Sequence, residues 1–184
     1  MTITLEPPQL RLLPQYAEAL SRGWSPRTTR DVSAEQLAHI QRDPQDFIHE
    51  LTRQDGFFSL GGGQQIPRIP SRTFWIWDGE FSGAIEFRFM RGTEELPSVT
   101  TGHIGYAVVP WKQRRGYAKQ ALAQVLVVAR EEGFSRVIVS CDRDNVASLR
   151  VIEANGGVPA SDIEKRSAVY AGKATFWVPT TCGQ

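Results

Sequence analysis

"VVPWKQRRGYAKQALA", residues 108–123, decides how the chain is read. An apolar run ends at Pro110, Lys112, Gln113, Arg114 and Arg115 follow, and Gly116 precedes a segment with helical spacing. A strand that turns directly into a helix leaves the first helical N–H groups without intrahelical partners. The helix dipole adds partial positive charge at the same end. Glycine lets the backbone approach a ligand closely, so the combination predicts an anion cradle at the start of this helix. Lys112, Arg114 and Arg115 are expected to reinforce it. A solubilising turn is the plain alternative. The stretch is neither a Walker loop nor a dinucleotide fingerprint, because GxxxxGKS/T and GxGxxG are both absent.

Working outward, Ala118, Ala121, Leu122, Val125, Leu126 and Ala129 recur at helical spacing, and Gly133 is a suitable C-cap. Upstream, "GHIGYAVV" (102–109) reads as a strand, and "TFWIWD" (73–78) with "FSGAIEFRFM" (81–90) as a hairpin turning at Asp78–Gly79. Downstream, "RVIVSC" (136–141) reads as a buried strand. Asn145 is placed to cap a helix over 146–155, with Gly156–Gly157 closing it. The tail, 158–180, reads as two strands turning near Ala171–Gly172.

The first part, 1–54, reads as mostly helical after an edge strand or arm within 3–13. Pro14 suits a first helical turn, Ser33 with Gln36 has capping-box spacing, and Asp43–Pro44 opens a third helix. Residues 55–72 read as a long loop whose Phe57 and Phe58 line a pocket or anchor the loop. A strand–helix–strand unit implies one parallel pair in an otherwise antiparallel sheet. The expected fold class is therefore mixed α/β: one domain over 1–184, with its core in 72–180.

Composition bounds the function. The 184 residues suffice for one full core. A formal net charge of +1 provides no bulk electrostatic footprint for nucleic acid. Cys141 and Cys182 have neither CxxC nor paired-His spacing, so no disulfide framework and no metal site are expected. No signal-peptide pattern is visible at the N-terminus, and no apolar run approaches the ~20 residues that span a bilayer. A cytoplasmic location without membrane contact is expected.

"HIGYAVVPWKQRRGYAKQAL" (103–122) resembles the central motif of the GNAT superfamily of N-acetyltransferases. That motif is a strand ending in a hydrophobic-x-Pro turn, then Q/R-x-x-G-x-G/A opening a helix, which Gln113 to Ala118 match. "RVIVSCDRDNVASLRVIEANGG" (136–157) resembles the family's next strand and helix, where Asn145 and Ser148 supply its Asn-x-x-Ser. The resemblance covers roughly 81–178. It implies a GNAT-like fold with one splayed parallel strand pair, and acetyl-CoA as cosubstrate. The pyrophosphate is then expected on the N–H groups of Gln113, Arg114, Arg115, Gly116, Tyr117 and Ala118. The pantetheine arm is expected to lie as a pseudo-strand beside Val108 and Val109, with Asn145 and Ser148 near the thiol end. The implied reaction is direct acetyl transfer to a primary amine, taken here to be that of a small molecule. A peptide N-terminus or lysine stays open as acceptor, and so does a homodimeric assembly.

One departure matters. Many relatives carry a proton-donating Tyr on the helix after Asn-x-x-Ser, and this chain has Ile152 there. Tyr106, Ser148 and Tyr170 are substitutes, or the CoA thiolate leaves unaided. For the base, His103 stands where many relatives carry a strand Glu, and its unperturbed pKa suits the task. Glu86 is second. Ala84, Glu86 and Arg88 share a strand face; if it lines the cleft, Glu86 holds an amine and Arg88 a carboxylate. Cys141 reads as core. The missing Tyr keeps an acyl-CoA-binding module without turnover open, and a nucleic-acid binder using Arg114 and Arg115 is opposed by the near-neutral charge.

Overall fold

The Asp78–Gly79 signal marks a hairpin at the centre of the fold. Strand β4 (Ser71–Trp77) pairs antiparallel with β5 (Phe81–Arg88), with an irregularity between Ile76 and Trp77. β1 (Thr4–Glu6) adds to the far side of β4, and β6 (Ile104–Val108) to the far side of β5. The resulting four-stranded sheet has the order β1-β4-β5-β6. The computed structural model describes residues 2–59, 65–96, 100–164 and 170–181.

Two helices, α1 (Leu13–Ser21) and α3 (Pro44–Thr52), cover one face of this sheet, and α2 (Ser33–Arg42) packs on both of them. Tyr16, Leu20, Trp24 and Phe47 pack there against Trp75, Phe81 and Val109. Tyr16 stacks on Trp75 with ring centroids 4.9 Å apart. The other face is covered by α4 (Tyr117–Glu131), through Tyr117, Ala121, Leu122, Val125, Leu126 and Ala129. Tyr117, rather than Ala118, completes the buried stripe. Burying each Leu or Val contributes about 1.5–3 kcal/mol, so this face holds the helix in place. Phe134 N–H bonds back to Ala129 at the turn through Gly133.

After α4 the chain enters a second sheet. β7 (Arg136–Asp142) is followed by α5 (Val146–Glu153), the two-residue β8 (Val158–Pro159), α6 (Ser161–Glu164) and β9 (Lys173–Pro179). Its order is β7-β9-β8. The tail is thus a short bridge, a helical turn and one long strand rather than two equal strands. Every ladder among the described residues is antiparallel. β6 and β7, joined through α4, are edge strands of separate sheets and form no hydrogen-bonded parallel ladder with each other.

The two sheets are joined just before β6. His103 N–H donates to Ile138 O at 2.7 Å, and Ile138 N–H donates to His103 Nδ1 at 2.9 Å. Ser140 Oγ donates to Thr101 O at 2.5 Å. A Cβ on Gly102 would lie 3.1 Å from Ile138 O, so this approach depends on glycine.

Two local expectations fail for physical reasons. Ser33 does not cap α2: Val32 is the N-cap, and Ser33 N–H instead donates to Asp31 Oδ1 at 2.8 Å. Gln36 is drawn away by the buried Tyr16 hydroxyl, which donates to its Oε1 at 2.5 Å. The stretch 55–72 is not wholly loop, because β2 (Phe57–Ser59) pairs with β3 (Gln65–Pro67). Phe57 is exposed, and the Phe58 side chain lies outside the described residues. Asp43 does cap α3, accepting from Gln45 and Asp46 N–H.

Candidate active site

The turn after β6 is a 3₁₀ segment, Pro110–Lys112, followed by an extended Gln113. Arg114 has φ 60 and Gly116 φ 77, with Arg115 between them outside the left-handed region. Such alternation turns successive N–H groups toward one concave side and makes an anion-binding nest. Gly116 is the N-cap of α4, with no side-chain cap, so the first helical N–H groups keep no intrahelical partner. Gln113, Arg114, Arg115 and Gly116 are exposed, Ala118 is half-buried and Tyr117 is buried.

Lys112 does not join this cradle. Its ammonium is buried, donating to Asp78 Oδ1 at 2.7 Å and lying 3.1 Å from Glu80 Oε2. Tyr117 Oη donates to the other oxygen, Asp78 Oδ2, at 2.5 Å. The hairpin tip therefore grips the chain on both sides of residues 113–116. Burial opposes the Asp78 charge, but donation from Lys112, Tyr117 and Glu80 N–H outweighs it and holds the pKa at about 2. Arg22 braces the same turn by lying 3.4 Å over the Trp111 ring. Sequence reasoning missed Asp78 as anything but a turn residue, and no local signal reveals its partners 34 and 39 residues away.

The outward edge of β6 follows from its pairing. Val109 N–H donates to Ser82 O, and His103 O accepts from Arg88 N–H. Antiparallel alternation then sends Gly105 and Ala107 toward β5, and turns the backbone groups of Ile104, Tyr106 and Val108 toward β7. Val108 O accepts from Gln113 Nε2 at 3.2 Å. Val109 is fully buried with its N–H committed, so of the expected pair only Val108 faces the gap.

An open cleft of about 1090 Å³ runs from the N-terminal helices past Glu86, Arg88, Gly105 and Tyr106 to Asn145 and Ser148. Asn145 Oδ1 accepts from Ser148 N–H at 3.0 Å, capping α5. Tyr106 Oη is 3.5 Å from Ser148 O, and burial pushes its pKa up to about 12. Cys141 lines the cleft as a thiol whose pKa burial raises. Glu86 Oε2 and Arg88 Nε are 3.9 Å apart.

His103 is placed elsewhere. It is fully buried against Phe87 and Phe134, outside the cleft lining. Its Nδ1 accepts from Ile138 N–H and its Nε2 is 3.4 Å from Glu95 O. Burial lowers its pKa to about 4. A lone pair already used inside the core cannot take a proton from a substrate in the cleft. Ile152 is buried in the α4 core, and Tyr170 packs with Ile138, Ala160 and Ile163 away from the cleft.

The family model described as "Acetyltransferase (GNAT) domain" matches residues 3–158. The chain belongs to the GNAT acetyltransferase family. No curated protein sequence gives a significant match. Solved GNAT structures share the fold of this one across nearly the whole chain. Microcin C7 self immunity acetyltransferase MccE, solved with acetyl-CoA and AMP, is 14% identical with a TM-score of 0.60, over 96% of this chain and 92% of that one. RimL, a ribosomal alpha-N-protein acetyltransferase solved with coenzyme A, is 15% identical with a TM-score of 0.61, over 97% and 94%. An acetyl transferase from Salmonella typhimurium that modifies an N-terminal serine of a ribosomal protein is 16% identical, with a TM-score of 0.60, over 97% and 95%. At these identities the likeness concerns the fold. No helix among the described residues of this GNAT protein is long and apolar enough to cross a membrane.

Proposed function

We propose that the protein transfers the acetyl group of acetyl-CoA to a primary amine of a small molecule, by direct attack within a ternary complex. The observation that carries this reading is the uncapped start of α4 beside the outward edge of β6. The nest from Gln113 to Ala118 suits a pyrophosphate, because N–H groups and helix dipole converge on one anion. A Cβ built on Gly116 would meet only Gln120 Nε2, at 4.0 Å, so the mouth is clear. The amide-bearing pantetheine arm suits the gap between β6 and β7, read as a splayed parallel pair. It satisfies the backbone groups of Ile104 and Tyr106 and the Val108 N–H, which lack a neighbouring strand.

Acetyl-CoA supplies an activated thioester; the side chains supply orientation and proton movement. Glu86 faces the cleft from β5 and is assigned the amine, accepting its proton directly or through water. As the C–N bond forms and the C–S bond breaks, Tyr106 Oη supplies the proton for the departing thiolate. Its raised pKa keeps that proton in place at neutral pH. Ser148 Oγ is the alternate donor. His103 is assigned a structural part, holding the two sheets together at the closed end of the gap.

A second reading, an acyl-CoA-binding module without turnover, is favoured by one observation: buried Ile152 stands where relatives carry their proton donor. The two separate in an assay of thiol release and acetylated product over a panel of primary amines. The Salmonella relative's substrate argues for including a peptide N-terminus. Acetylated product with stoichiometric thiol supports transfer; binding of acetyl-CoA without product on any acceptor supports the module.

A further inference from the structure

The structure assigns a second recognition element to the acceptor side of the cleft: a seat for an anionic group, carboxylate or phosphate, carried by the molecule that bears the acceptor amine. This rests on the acetyltransferase reading above. Arg88 is the seat. It projects from β5 on the same face as Glu86, and its guanidinium lies across β6 at Gly105, where a Cβ would come within 2.9 Å of Nη2. Gly105 is thus the clearance that lets the guanidinium reach the cleft.

Arg88 Nε is buried and has no hydrogen-bond partner among the described residues. Buried donors in folded proteins are almost always paired, so the described residues leave part of this guanidinium's hydrogen-bonding capacity unused. Glu86 does not fill this need, because its 3.9 Å separation is too long for a hydrogen bond. The surrounding charges point the same way. Arg53 and Arg68 are committed to Glu50, and Arg30 to Glu35. Arg27 and Arg42 line the same basin without a carboxylate partner among the described residues. Asp142 is taken by Lys173, so among the described lining residues Glu86 is the one carboxylate without a basic partner within hydrogen-bond distance, while Arg27, Arg42 and Arg88 line the same cleft.

Glu86 and Arg88 are two residues apart on one strand, which places their Cα atoms about 6–7 Å apart. An ammonium at Glu86 and an anion at Arg88 therefore belong to one compact molecule with only a few bonds between the two groups. A guanidinium fork matches a carboxylate or a phosphate through two parallel hydrogen bonds, and a lysine does not reproduce this.

The test uses matched pairs of amines with the full chain and acetyl-CoA. One arm compares α-amino acids with their amides; the other compares phosphoethanolamine with ethanolamine. Anionic members are expected to exceed their neutral mates in kcat/KM by about tenfold or more. Arg88→Gln is expected to remove that preference, and Arg88→Lys to restore it only in part. The arm with the larger difference tells carboxylate from phosphate. Equal rates within both pairs, or a preference that survives in Arg88→Gln, overturn the assignment.

A second readout does not need turnover. With the cradle filled by CoA, acetate and inorganic phosphate are titrated against tryptophan fluorescence, since Trp75 lies in the cleft wall. Weakening by about tenfold in a folded Arg88→Gln protein supports the seat. No anion binding in the wild type, or equal binding in the variant, overturns it. Anion binding at Arg88 without any acetylated amine would sink the transferase reading and leave the seat standing.

Discussion

Asp78→Asn isolates what the hairpin tip does for the cradle. The substitution keeps the shape of the side chain and removes its charge. Asp78 lies between Lys112 Nζ at 2.7 Å and Tyr117 Oη at 2.5 Å, and its pKa is held at about 2 against an ordinary 3.8. That gap corresponds to about 2 kcal/mol in favour of the folded, ionised form. The variant also leaves Lys112 buried with only the exposed Glu80 opposite it. Breaking one side of a buried pair costs roughly 3–5 kcal/mol, and the surviving Glu80 contact sets the expectation at the lower end, about 3 kcal/mol. For a chain of this length Tm falls by roughly 6–12 °C. The pH dependence has a definite sign. A depressed carboxylate pKa stabilises the fold above 3.8, and this contribution disappears as pH falls toward about 2. The gap in Tm between wild type and variant should therefore be widest above about pH 5 and close between pH 4 and pH 2. Thermal melts followed by circular dichroism across that range measure it. Calorimetric titration of acetyl-CoA at neutral pH should show affinity weakened about tenfold, because Lys112 and Tyr117 bracket the nest. A Tm gap independent of pH refutes the electrostatic argument. Unchanged acetyl-CoA affinity refutes the link from clamp to cradle.

Other substitutions test the remaining assignments. Gly116→Glu should abolish acetyl-CoA binding, since it strains a residue at φ 77 and puts a carboxylate at the nest; retained affinity removes the pyrophosphate assignment. Tyr106→Phe should lower kcat about tenfold to a hundredfold with acetyl-CoA affinity nearly intact, and Ser148→Ala should do so if Ser148 is the donor instead. An unchanged kcat in both leaves the thiolate to depart unaided. His103 is held neutral by burial, with a pKa lowered from 6.5 to about 4, so its contribution is present above 6.5 and lost as pH falls toward 4. The wild type should lose about 3 kcal/mol over that window, and His103→Asn should not. The shape of the rate–pH profile near neutrality should be the same in both; a limb that vanishes in the variant would return His103 to the chemistry.

The parts of this site that were legible in the sequence are those built by neighbours in the chain. Asn145 caps α5 and Asp43 caps α3 because each accepts from N–H groups two or three residues away, and Gly116 opens α4 because its own backbone takes a left-handed φ of 77. The apolar stripe of α4 is local in the same sense. Residues whose role depends on distant partners were not legible. Lys112 reads as part of a basic cluster until the fold brings Asp78 to it from 34 positions away. His103 reads as a base near neutral pH until Ile138, 35 positions away, occupies its Nδ1. Gln36 has the spacing of a capping box, yet a buried tyrosine hydroxyl competes for its side chain and prevails. The split between β6 and β7 follows the same logic. Strand–helix–strand order predicts that the two strands are neighbours, but whether their edges bond depends on the close approach of residues 101–103 to β7.

The most direct test of the account is an amide-resolved NMR titration of the protein with coenzyme A. The largest shifts are expected at the N–H groups of Arg114 to Ala118 and, further along the cofactor, at Ile104, Tyr106 and Val108. Shifts confined to other surfaces, with the 114–118 amides unmoved at saturation, would contradict it.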